Sequence, residues 1–358
     1  MKGFLSLVMA AACGVALAGA YSHNAGASSV IYGPPAPKVE HFTAGGFEGD
    51  LVGDWSPEAK KGWDLAVAAL NAQITPKVPV NIVVKLEQLE PNILGRGGAT
   101  KSAYNTPGVP LEDTWFPISL ANNYAGTRLA PGPDVNIWLN SIMPWDYRGE
   151  PLKALADKKP DFVTTVTHEI LHGMGIQGTA RVVDGAGYWG DDDGEIDPES
   201  MHTLYWTGAT EPPAAITKGL FYCQTPQPVQ KAREGGPKKS DDFRDAWDYF
   251  VVDGAGDSVM DTDLFADPSG ELNDILTSDD LWWDGAEGIK ANGGKRIKLY
   301  APSPWKPGSS YAHFDDATYD GGEDALMTAA GAKIPDLTVG PRLVGVLKDL
   351  GWDAKPKK

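Results

Sequence analysis

The stretch DFVTTVTHEILHGMG, residues 161–175, restricts the fold more than any other part of this 358-residue chain. Its apolar positions Val166, Ile170 and Leu171 surround His168, Glu169 and His172, so a helix built on it carries three titratable side chains into a partly buried layer. His168 and His172 are four apart and lie one turn above the other on a single face, with Glu169 immediately beside the first. Asp161 can cap the start of this helix, and Gly173 with Gly175 can end it. A fold that buries such a helix has to give both imidazoles something to meet.

The neighbouring segments predict mixed layers of helix and sheet. SPEAKKGWDLAVAALNAQI, residues 56–74, reads as a helix capped by Ser56, with Trp63, Val67 and Leu70 at helical spacing. PVNIVVKLEQL, after it, and PDVNIWLNS, residues 133–141, read as strands, the second with Val135, Ile137 and Leu139 on one face. Residues 91–133 contain Gly, Asn and Pro throughout and are expected to be mostly loop, with at most a short strand. From 176 to about 308 only short elements such as DDFRDAWDYFVV and LTSDDLWWDG stand out, which suggests a long loop-rich insertion. TVGPRLVGVLKDLGW then predicts a C-terminal helix with Leu343, Leu347 and Leu350 on its apolar side. The fold class expected is α+β, a mixed α/β arrangement.

The N-terminus, MKGFLSLVMAAACGVALAGAYSHNAGA, has the lysine, short apolar run and small residues of a secretory signal peptide, residues 1–20, cleaved after Ala18-Gly19-Ala20 or, as the alternative, after Ala25-Gly26-Ala27. A lipoprotein reading through Cys13 is the competing interpretation of the same segment. Nothing later is long and apolar enough to be a transmembrane segment. Cleavage removes Cys13 and leaves Cys223 alone, so packing and bound ions rather than cross-links are expected to hold the mature chain. Residues 21–50, rich in Gly, Ala and Pro, read as an arm of surface loops or a short propeptide. A formal charge of −17 opposes binding to nucleic acid or to an anionic membrane surface.

Two imidazoles four apart with an adjacent carboxylate are the arrangement that zinc hydrolases use, two ligands for the metal and one base for water. The competing reading is an ordinary amphipathic helix whose letters coincide. A catalytic zinc site normally needs a third protein ligand and leaves one position open. His23 and His41 precede the motif, and two pairings remain after it: His202 with Met260, and His313 with Met327. Glu195 and Glu199 could supply a carboxylate instead, although WGDDDGEIDPES is a poor helix.

At these residues the chain resembles the metzincin clan of zinc endopeptidases, whose longer signature is HExxHxxGxxH followed by a methionine turn. His168, Glu169, His172 and Gly175 match it in order, but residue 178, where the third histidine would fall, is Gly. PGSSYAHFDDATYDGGEDALMTAA, with His313 fourteen residues before Met327, is similar to the leishmanolysin-like branch, in which a long insertion precedes the third ligand, and to secreted bacterial and fungal metallopeptidase-like proteins of the same layout. The resemblance covers residues 162–175 and 307–329 together with the strand before the helix.

It implies a zincin/metzincin-like catalytic domain with a mixed sheet and an active-site helix. Residues 51–175 would be the N-terminal catalytic subdomain, 176–306 the insertion and 307–358 the C-terminal catalytic subdomain. It further implies one catalytic Zn²⁺ on His168, His172 and His313, Glu169 as catalytic base, Met327 as the methionine turn, and DVNIWLN as an edge strand that binds a protein or peptide substrate by strand addition. The function so implied is a secreted zinc metalloendopeptidase that hydrolyses internal peptide bonds.

Asp191, Asp193 and Asp197, with Gly194 at the turn, form either a Ca²⁺ loop or a solvated acidic loop; the EF-hand pattern fails because its twelfth position is His202. No dinucleotide or phosphate-loop glycine motif lies between strand and helix, and GSSYAHFD lacks the context of a serine nucleophile. The alternative function is a non-catalytic secreted carbohydrate- or surface-binding protein on a zincin scaffold, with some of the 12 Trp as a sugar platform.

Overall fold

The computed structural model describes residues 37–91, 93–104, 108–111, 114–190, 202–205 (backbone only), 244–329, 334 and 337–357. Strand β1 (Val39–Ala44) turns at Gly45-Gly46 into β2 (Phe47–Gly53), whose Phe47, Gly49 and Leu51 alternate into the core. The turn is clamped by Asn71, which accepts from the Gly46 N–H at 2.8 Å and donates to the Ala44 carbonyl at 2.8 Å. Residues 39–50, expected as arm or loop, are therefore sheet: a two-residue period over a short run is a weak signal until a neighbouring strand pairs with it.

Helix α1 (Pro57–Gln73) begins where the Ser56 hydroxyl accepts the Ala59 N–H at 3.1 Å, and it buries Trp63, Ala66, Val67 and Leu70. It carries the chain over to β3 (Val80–Glu87), which pairs parallel with β2. Next come β4 (Ile93–Ala99), the short pair β5 (Ser102–Tyr104) and β6 (Trp115–Pro117), α2 (Ile118–Ala125) and β7 (Val135–Asn140). Three strands and a helix thus stand where mostly loop was expected. Two of the glycines that made residues 93–99 read as loop, Gly95 and Gly97, serve close packing instead.

Helix α3 (Pro151–Ala156) leads to α4 (Phe162–Gly173), every residue of which is buried. The hairpin β8 (Ala180–Val183) and β9 (Ala186–Trp189) follows, and β10 (His202–Tyr205) then joins the main sheet. That sheet has the order β1-β2-β3-β7-β4-β10, mixed in direction, with α1 and α4 packed together and α4 laid on β4 and β7. Strand β7 is accordingly interior, parallel to β3 on one side and antiparallel to β4 on the other. The expectation that DVNIWLN is an edge strand is corrected: burial of Val135, Ile137, Trp138 and Leu139 reflects a strand paired along both edges. Among the described residues the edge on this side is β10.

Beyond residue 244 a small antiparallel sheet of β11 (Val251–Asp253), β12 (Leu281–Trp283) and β13 (Ile297–Lys298) is joined by α5 (Gly270–Leu276) and α6 (Ala286–Ala291). Helix α7 (Asp316–Tyr319) and α8 (Pro341–Leu350) complete the chain, and α8 packs on α6 with Leu343, Leu347 and Leu350 buried. The fold is mixed α+β. No helix of the described residues is long and apolar enough to cross a membrane.

Candidate metal centre

Helix α4 is set by its two ends. At its start the Asp161 carboxylate accepts the Thr164 N–H at 2.7 Å, as a side-chain cap should. At its end the chain turns back through Gly175, and the Ile176 N–H reaches the Leu171 carbonyl at 3.2 Å. That reversal presents the Ile176 carbonyl to His172 Nδ1 at 2.6 Å. His168 Nδ1 meets the Leu326 carbonyl at 2.8 Å, within a short 3₁₀ turn at Ala325–Met327. Carbonyl oxygens only accept, so in both rings Nδ1 carries the proton and Nε2 keeps its lone pair.

The two Nε2 atoms lie 2.9 Å apart, and His313 Nε2 lies 3.1 Å from that of His168. His313 is delivered by an extended segment tied down on both sides, the Tyr300 N–H bonding the His313 carbonyl at 2.9 Å and the Phe314 N–H bonding the Met327 carbonyl at 2.8 Å. Met327, fully buried, thus belongs to the same turn whose Leu326 orients His168.

Two lone pairs at such a distance repel unless a cation lies between them. Burial pushes His168 down to about 4, which disfavours a proton in that role. Three imidazoles converging through Nε2, with two of the rings oriented from behind by backbone carbonyls, are a donor set suited to a divalent metal ion. Among the described residues this is the one cluster of His, Cys, Asp or Glu side chains placed to hold a metal.

Glu169, next to His168 on α4, is completely buried, and neither of its carboxylate oxygens has a hydrogen-bond partner among the described residues. Desolvation raises its pKa well above the usual carboxylate range, opposed by the positive charge of Arg96. Strand β4 passes directly over it. A Cβ at Gly97 would stand 2.7 Å from Glu169 Cβ and 2.9 Å from its carbonyl oxygen, so the glycine lets helix and strand approach closely enough to enclose the acid.

Gly178, where the compact signature would place a histidine, has no room for one. A Cβ there would lie 2.2 Å from the Tyr311 ring and 2.9 Å from Asp248 Oδ1. His41 sits instead on the β1–β2 hairpin, 3.1 Å from Asp50, and Met260 lies half-buried in the loop after β11. His202 pairs opposite Gly97 through its backbone in β10. Residues 1–36, including Cys13 and His23, together with Cys223, Asp191, Asp193, Glu195, Asp197 and Glu199, lie outside the described residues, and so do the leader and calcium expectations placed on them.

Sequence reasoning missed Tyr311, Asp248 and the Leu326 carbonyl. A signal for Asp248 existed, since DAWDYF places two acids three apart among aromatics, and Asp245 and Asp248 are both fully buried. Compared with protein-family models, with curated proteins and with solved structures, the chain finds no match.

Proposed function

We propose that the chain is a zinc-dependent endopeptidase of metzincin-like, leishmanolysin-like layout, with His168, His172 and His313 holding the metal through Nε2. One observation carries the reading: three buried Nε2 atoms converge on the helix that carries a buried carboxylate with no hydrogen-bond partner among the described residues. An unpaired buried carboxylate costs several kcal/mol by order of magnitude, a cost that a chain keeps where the group has a cation or a transferable proton to meet.

A bound divalent metal supplies Lewis acidity, which activates water and polarises a carbonyl. Glu169 takes the proton from the attacking water at a carboxylate oxygen and delivers it to the departing amine nitrogen. The Leu326 and Ile176 carbonyls keep His168 and His172 in the tautomer that leaves Nε2 free to bind. Met327 serves as the apolar floor of the site. In this reading residues 1–20 are a secretory leader, 176–306 an insertion and 307–358 the subdomain that brings the third ligand.

The sugar-platform alternative draws little support from the aromatic residues. Trp63, Trp115, Trp138, Trp145, Trp189, Trp247, Trp283 and Trp352 are all buried in the core, and no described tryptophan is fully exposed.

The test is elemental mass spectrometry of dialysed protein together with casein turnover on wild type and Glu169→Gln. The expected result is one zinc per chain in both proteins and turnover lower in the variant by roughly 10²–10⁴-fold. Undiminished turnover would remove Glu169 from the reaction. Absence of zinc from metal-replete wild type would overturn the reading.

A further inference from the structure

The third ligand arrives 145 residues after His168, on a segment with no helix to fix its direction. What aims it is visible two residues upstream. Tyr311 has φ +77°, in the left-handed region that a bulky side chain rarely adopts, so its surroundings must hold it there. Its N–H bonds the Tyr300 carbonyl at 2.7 Å, while Tyr300 in turn bonds the His313 carbonyl. Its fully buried ring fills the space left open at Gly178. Its hydroxyl donates to Asp248 Oδ1 at 3.0 Å.

Asp248 is itself anchored on the other side of the site. Its Oδ2 accepts from the Thr179 hydroxyl at 2.7 Å and from the Asp245 N–H at 2.8 Å, and its Oδ1 accepts the Thr179 N–H at 3.2 Å. Thr179 lies three residues beyond Ile176, whose carbonyl orients His172. One buried carboxylate therefore ties the segment that sets His172 to the segment that carries His313.

We propose that Tyr311 and Asp248 are positioning residues for the metal centre, a brace through the insertion that fixes the third imidazole relative to the helix-borne pair, with Gly178 as the space the brace occupies. The inference rests on the metal-centre reading and deepens it. Position 178 then lacks a histidine because the tyrosine that aims the distant one stands there.

The experiment compares wild type, Tyr311→Phe, Asp248→Asn and the double variant by three measurements: zinc affinity in competition with a chromogenic chelator, the visible spectrum of the cobalt-loaded protein, and the melting temperature of the metal-free protein. Tyr311→Phe keeps the ring and loses the hydroxyl. It is expected to weaken zinc binding about tenfold or more, in the range typical of groups that orient ligands, and to alter the cobalt bands while metal-free melting stays close to wild type. Asp248→Asn is expected to act alike, and the double variant to be little worse than either. Zinc affinity and cobalt spectrum unchanged in Tyr311→Phe would overturn the brace even if melting fell. Wild type that takes up neither zinc nor cobalt would overturn the metal centre and the brace together, so the two failures are distinguishable.

Discussion

The two sides of the histidine cluster are built by opposite means. His168 and His172 stand on α4, where the 3.6-residue period alone puts residues four apart on one face. His313 stands in an irregular segment held by backbone bonds to Tyr300 and Met327 and by the buried Tyr311 beside it. The helical side needs only a cap, an end and a sheet to lie on. The loop side needs partners from at least three distant stretches of chain. Regular structure places a histidine pair with few further contacts, whereas a single histidine outside it takes its direction from contacts with segments elsewhere in the chain.

Removing a histidine from either side tests whether the two sides contribute equally to the proposed metal binding. His168→Ala and His313→Ala should each weaken zinc binding on the order of 1,000-fold, a third of a binding free energy of roughly 12 kcal/mol. His202→Ala should leave affinity unchanged. A calorimetric titration in which His202 mattered and His313 did not would reverse the assignment of the loop side.

Gly97→Ala challenges the helical side. The added methyl meets the Cβ and carbonyl oxygen of Glu169, so α4 and β4 must part. Destabilisation of about 1–3 kcal/mol is expected from such overpacking, read from urea midpoints. No loss would mean that the close approach is not required for α4 to seat.

The cap of α4 provides the smallest and most directional test. Burial raises the Asp161 carboxyl to about 6, with the nearby Asp146 charge acting in the same sense and Arg148 against it. Its folded value exceeds its unfolded value, so the native state binds the proton more tightly, and the stability this group contributes is lost as pH rises from about 4 through 6. Asp161→Asn keeps an oxygen for the Thr164 N–H and should gain on wild type by about 1–2 kcal/mol between pH 4 and pH 7. Parallel stability curves for the two proteins would show that the cap does not titrate in this range.

Local pattern made much of the scaffold legible. Helix α1 with its Ser56 cap, strands β3 and β7, helix α4 and the C-terminal α8 follow from apolar spacing that burial in the structure matches. Strand β4 was not legible, because Gly95 and Gly97 read as loop until the strand and helix pressed against them are known, and β1 and β2 were missed because a two-residue period over a short run is a weak signal without its paired neighbour. Nor did the pattern reveal that β7 is interior, since strand order depends on which distant segments pair.

The sequence by itself determined that a buried helix presents His168, Glu169 and His172 together, because residue spacing on a helix is fixed by backbone geometry. Only the tertiary structure decided that His313 meets the two histidines, that Tyr311 occupies the space at Gly178, and that β7 is an interior strand. Each of those depends on contacts between segments far apart in the chain, whose mutual placement no local periodicity encodes.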